Sequence, residues 1–202
     1  MIAIIDYGVG NLFSLKSSFS ALGIRAEVTA EPSVIHEAER LILPGVGAFE
    51  DAAKKLRESG LDTVVKEEAA GGKPLLGICL GMQLLFDKSY EFGEHEGLSL
   101  IPGKVTAMRG RIPDRLKVPA MGWNALHFVK ESPLFRYVKE GDCVYFVHSY
   151  SAVDCGEDTL ATVEYGTEIT AAVGRRNVYG CQFHPEKSGN VGLSILRAFS
   201  EL

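Results

Sequence analysis

Residues Leu75 to Phe86 read "LLGICLGMQLLF", and this stretch decides the fold. An apolar run, Pro74 to Ile78, leads into Cys79; a second, Leu80 to Phe86, leaves it and begins a helix. Glycines flank the cysteine at Gly77 and Gly81. The pattern reads as strand, sharp turn and helix start, a nucleophile elbow of the form G-x-S-x-G with sulfur in place of oxygen. A Cβ at either flank of so tight a turn would meet neighbouring backbone, so both flanks have to be small. The turn lifts the thiol to the carboxyl edge of an open α/β sheet, where such sheets bind ligands. A helix from Leu80 aims its free N–H groups and positive dipole end at the sulfur, which favours thiolate, and the Leu80 N–H is placed to serve an oxyanion. The competing reading is a small buried hydrophobe, a common state of free cysteine. Two glycines at a strand-to-helix junction are hard to explain by packing alone and favour the reactive reading.

The flanking sequence alternates in the same way. Met1 to Ile5, Arg25 to Thr29 and Arg40 to Leu43 read as strands. Asn11 to Leu22 has helical spacing at Leu12, Leu15, Phe19 and Leu22 and is closed by Gly23. Phe49 to Gly60 and Leu61 to Ala70 read as further helices. After Leu98, β-rich runs dominate at Lys104–Ala107, Asn124–Phe128, Asp142–Val147, Thr159–Glu164, Ile169–Val173 and Val178–Phe183, before a closing helix at Gly192–Leu202. The expected architecture is one α/β domain over residues 1–202, a three-layer flavodoxin-like sandwich. Its central sheet is mixed and mostly parallel, with an antiparallel extension.

Composition narrows the function. Of 202 residues, 46% are hydrophobic and 23% charged, and the net charge is −5. That balance argues against a nucleic-acid or anionic-membrane surface. The one basic cluster, "RGRIPDRLK" from Arg109 to Lys117, is broken by Pro113 and Asp114 and reads as a solvated loop. The amino terminus lacks a basic n-region, and no apolar run reaches membrane-span length. Cys79, Cys143, Cys155 and Cys181 form no C-x-x-C pair, so neither zinc nor a disulfide framework is expected. A reducing, cytoplasmic setting follows, and Cys143, Cys155 and Cys181 read as inert.

A thiol nucleophile needs a base. Of five histidines, His184 follows the strand "VYGCQF" and precedes Pro185 and Glu186. A residue before proline is pushed toward extended geometry, and in an extended chain i and i+2 share a face. Glu186 is thereby set beside the imidazole, completing nucleophile, base and orienter. His148, in "FVHSYS", is the competing base.

With "GICLGMQ", "QFHPEKS" and "LPGVGAF" in place, the chain resembles a class I glutamine amidotransferase over essentially its whole length. The resemblance implies hydrolysis of L-glutamine by Cys79, His184 and Glu186 without metal or cofactor. Oxyanion donors would come from Gly45, Val46 and Leu80. Gly47, Gln83, Glu91, Ser149 and Tyr150 would hold the glutamine. "DYGVGNLFS", "MGWN" and "FVHSY" are similar to family members that form a heterodimer with a (β/α)8-barrel cyclase subunit. Gly10, Asn11, Met121, Trp123 and Asn124 would then face that partner. Gly8-Val9-Gly10 mimics a dinucleotide loop, but Phe13 stands where the third glycine belongs, so NAD is rejected. Trp123 reads as a partly exposed interface aromatic rather than core. A cysteine-bearing α/β redox protein would explain a reactive Cys79 but not His184-Pro185-Glu186.

Overall fold

The computed structural model describes residues 1–202. The chain starts on β1 (Ile2–Ile5), crosses by α1 (Leu12–Ala21) to β2 (Ala26–Thr29) and by α2 (Pro32–Glu37) to β3 (Arg40–Leu43). Helices α3 (Phe49–Glu58) and α4 (Leu61–Ala70) return it to β4 (Leu75–Ile78), which runs through Cys79 into α5 (Leu80–Leu84). Then follow β5 (Lys88–Ser89), β6 (His95–Glu96), β7 (Lys104–Ala107), β8 (Ala120–Ala125), β9 (His127–Phe128), β10 (Cys143–His148) and β11 (Tyr150–Val153). The last elements are β12 (Thr159–Glu164), β13 (Glu168–Arg175), β14 (Val178–Cys181) and α6 (Gly189–Ser200).

The main sheet has the order β2-β1-β3-β4-β14-β13-β12-β9. Its first five strands are parallel, in the winding order of flavodoxin-like sheets. The remaining strands are antiparallel, the expected extension. Alternation along β1 sorts the two core layers: Ile2 and Ile4 pack with Leu15 and Phe19 of α1 and Ile195 and Phe199 of α6. Ala3 and Ile5 pack on the other face with Ile35 of α2, Phe49 and Leu56 of α3 and Val65 of α4. Both faces are covered, which is why β1 and β4 read as unbroken apolar runs.

Several expectations need correcting. The β-rich half also builds two smaller sheets, the ribbon β8-β10 and the group β11-β7-β5-β6. Strands β5, β6 and β11 and helix α2 lie outside the expected runs; α2 has only six residues, too few to show a period. Helix α5 ends at Leu84 instead of continuing to Phe86. The carbonyls of Leu84, Leu85 and Phe86 are taken by the amides of Leu98, Leu100, Ile101 and Ser99, so the returning chain replaces the next helical turn. The Arg109–Lys117 segment is not wholly solvated: Arg111 donates to Thr106 Oγ1 at 3.0 Å and Ser151 Oγ at 2.9 Å. Cys143 is exposed, while Cys155 and Cys181 are buried. No helix is long and apolar enough to cross a membrane.

Candidate active site

Strand β4 delivers Cys79 to the carboxyl edge of the parallel sheet, and the backbone there turns through φ 55° and ψ −110°. A non-glycine residue at positive φ is held there only by surrounding structure. The elbow glycines show what holds it. A Cβ on Gly77 would stand 2.6 Å from the Gly81 carbonyl oxygen, and one on Gly81 would stand 1.9 Å from that of Leu43. The tight-flank argument from sequence therefore has a concrete obstacle at each position. The helix-dipole argument weakens, because α5 is one short turn of five residues.

A cavity of about 320 Å³ opens at Cys79. Val46, Gly47, Leu80, Gln83, Glu91, Ser149, Tyr150 and His184 line it, as the sequence reading grouped them. Gly45 does not; it is buried against the elbow, where an added Cβ would lie 2.7 Å from Gly81 N. Pro119, Val147, His148 and Lys187 complete the lining without having been singled out as its walls. A larger open depression of about 770 Å³ beside Phe128 and Arg136 contains neither cysteine nor histidine.

His184 is 2% exposed, and its Nδ1 lies 2.8 Å from Glu186 Oε1. The two do not share an extended strand, as the spacing suggested; Pro185–Lys187 is a turn of 3₁₀ helix that brings the carboxylate back to the ring. The backbone is tied too: His184 N donates to Tyr145 O at 2.9 Å, and Ser188 Oγ to His184 O at 2.6 Å. Burial alone would lower the His184 pKa, but hydrogen bonds to Cys79 and Glu186 and the charges of both outweigh it and raise it to about 9. His148 is the opposite case. Burial lowers its pKa to about 4, although its hydrogen bond to the Tyr150 carbonyl, 2.8 Å from Nδ1, favours the proton. Of the two candidate bases, His184 is the one beside the sulfur and able to carry a proton at neutral pH.

The polar wall is a network. Gln83 Nε2 donates to Gln182 Oε1 at 3.0 Å and to the Tyr150 carbonyl at 3.2 Å. Gln182 is fully buried, and its Nε2 points at Cys79 Sγ from 3.8 Å. Sequence reasoning missed Gln182, although it stands two residues before His184 and strand alternation would have put it on the same face. Glu91 Oε2 accepts the Phe49 N–H at 2.7 Å, capping α3. Burial raises the Glu91 pKa, partly offset by that hydrogen bond and by His95.

The segment matched by the family model for glutamine amidotransferase class-I runs over residues 3–201. The chain belongs to the class I glutamine amidotransferases. Within that family it is 51% identical over 203 residues to the imidazole glycerol phosphate synthase subunit HisH of Sulfurimonas denitrificans, covering 100% of this chain and 98% of that one. It is 49% identical over 204 residues to the HisH subunit of Wolinella succinogenes, covering 100% of both. A crystal structure of a glutamine amidotransferase shares the fold at a TM-score of 0.77 and 20% identity, covering 100% of this amidotransferase and 98% of that chain.

Proposed function

We propose that this amidotransferase is the glutaminase subunit of an imidazole glycerol phosphate synthase, with residues 1–202 as one catalytic domain acting in the cytoplasm. The carrying observation is Cys79 and His184 together at one cavity with Glu186 bonded to the far side of the imidazole, in a chain similar over its full length to HisH subunits.

Cys79 Sγ attacks the side-chain carbonyl carbon of glutamine, and the oxyanion is met by the amides of Leu80 and the Gly45–Gly47 segment. His184 passes its proton to the departing nitrogen; the C–N bond breaks, ammonia leaves and a γ-glutamyl thioester remains. Water then attacks the thioester and gives its proton to His184. The C–S bond breaks, releasing glutamate and restoring the thiolate. Glu186 keeps the imidazole oriented throughout. Gln83, Glu91, Ser149 and Tyr150 hold the α-amino and α-carboxylate groups.

Ammonia passes to a (β/α)8-barrel cyclase subunit, which yields imidazole glycerol phosphate and aminoimidazole carboxamide ribotide. Gly10, Asn11, Met121, Trp123 and Asn124 form the docking region in this reading. Met121 and Trp123 are 62% and 55% exposed on one face of β8; Asn124, one residue on, points to the opposite face by strand alternation.

Incubation with a glutamine-analogue chloroketone, followed by peptide mapping, should label Cys79 alone. Cys79→Ser should abolish glutamine-dependent synthesis in the complex and spare synthesis from added ammonia. Labelling elsewhere, or turnover by Cys79→Ser near wild type, would remove the nucleophile from this role.

A further inference from the structure

Tyr7 has no part in the chemistry described so far, yet it reaches the segment that supplies the oxyanion donors. Its side chain is buried, and its hydroxyl donates to the Pro44 carbonyl at 2.6 Å. Pro44 is the last residue before Gly45-Val46-Gly47. None of those three amides donates to another group of the chain, and Val46 and Gly47 line the cavity at Cys79. The space around Gly45 is closed on three sides: a Cβ there would meet Gly81 N at 2.7 Å, and Leu80 Cβ and the Tyr7 hydroxyl each at 2.9 Å. Tyr7 and the elbow thus grip the same peptide from different directions.

We propose that Tyr7 is a positioning residue: its phenol fixes the Pro44 carbonyl, and with it the Pro44–Gly45 peptide from which the donor segment beside Cys79 starts. A carbonyl held at one end sets the plane of the Pro44–Gly45 peptide, because that peptide is rigid. The glycines beyond it would otherwise let the segment swing at little cost. The phenol stays protonated as a donor, since burial and then the Cys79 charge push its pKa up. Pro44 also receives the neighbouring loop. A Cβ on Gly10 would lie 3.0 Å from both Pro44 Cβ and Cγ, so a displacement of Gly8–Asn11 is felt at the residue Tyr7 holds.

The inference rests on the glutaminase reading, and its test separates the two. Wild type, Tyr7→Phe, Tyr7→Leu and Cys79→Ser are compared in the full chain assembled with its barrel subunit. Removing one oxyanion donor outright costs roughly a hundredfold or more in kcat. Misdirecting it should lower the Tyr7→Phe kcat for glutamine about tenfold, with KM nearly unchanged. Alkylation of Cys79 by iodoacetamide, which needs the thiolate but no oxyanion donor, should keep its wild-type rate in Tyr7→Phe. A Tyr7→Phe kcat equal to wild type, with only Tyr7→Leu impaired, would assign the role to the ring's packing and overturn the proposal. Equal losses in turnover and alkylation would place the damage at the elbow and overturn it too. No glutamine turnover by wild type above the Cys79→Ser background would instead sink the glutaminase reading itself.

Discussion

Gly81 lies so close to Leu43 that a Cβ on it would stand 1.9 Å from the Leu43 carbonyl oxygen. Strand β3 and the elbow of β4 therefore touch through backbone, and that contact sets Cys79 beside the Pro44–Gly47 segment.

Gly81→Ala should destabilise the protein. Overpacking against side chains costs about 1–3 kcal/mol, and backbone yields less readily, so the upper end is expected. For a chain of this size that is a fall of roughly 6–12 °C in Tm. Gly77→Ala, with its Cβ 2.6 Å from the Gly81 carbonyl oxygen, should behave alike. Thermal unfolding checks both, and an unchanged Tm would deny the contact its role.

The two cavity histidines should titrate in opposite directions. His184 is raised from 6.5 to about 9, so its stabilising contribution is full below pH 6.5 and is lost as pH rises through 9. His148 is lowered from 6.5 to about 4, so its contribution is present above pH 6.5 and is lost as pH falls toward 4. NMR titration should find His184 near 9 in wild type and distinctly lower in Cys79→Ser, which removes the hydrogen bond and charge that Cys79 supplies. His184→Ala should lower glutaminase by several orders of magnitude, as members of a triad act as a unit; a mild His184→Ala beside a crippling His148→Ala would exchange their roles.

The Gly45–Val46 peptide lies beyond the Pro44–Gly45 peptide that Tyr7 holds; a flip there would switch the oxyanion donor on and off, and the glycines differ as places to test it. Proline at Gly45 would drive its Cβ into Gly81 N at 2.7 Å and lower basal and stimulated glutaminase together. Gly47 has φ +93° with nothing within 4 Å of an added Cβ. Gly47→Ala therefore strains the backbone without a clash, and should change basal and partner-stimulated rates by different factors. Equal factors in a steady-state assay with and without the cyclase and its nucleotide would argue against the switch.

Trp123→Ala should weaken association with the barrel subunit by about 2 kcal/mol, roughly thirtyfold in Kd, as for a central interface aromatic. Trp123 sits opposite Tyr145 in the β8-β10 register, with the rings 6.0 Å apart edge to face. Tyr145 O is also the acceptor for His184 N, so the exposed aromatic is two contacts from the base. A Kd within a factor of two of wild type would take Trp123 out of the interface.

The parallel strands, the elbow, the Pro-Gly-Val-Gly segment and the His-Pro-Glu run were all legible in the chain, because each depends on local pattern: apolar runs, glycine at tight flanks, proline after an extended residue. Short pieces such as α2, β5 and β6 were not, since two to six residues carry no period. The early end of α5 was hidden as well, because the groups that satisfy Leu84 to Phe86 come from residues 98–101. The sequence favoured His184 over His148, because Pro185 and Glu186 follow it. Both histidines follow apolar strands, and the fold adds Cys79 beside the ring of His184 and a backbone carbonyl against that of His148. Gln182 and Tyr7 belong to the same class. Their neighbours, Cys79 and Pro44, lie 103 and 37 residues away along the chain. Side-chain identity determines what such groups can donate; the sheet order alone decides what they donate to.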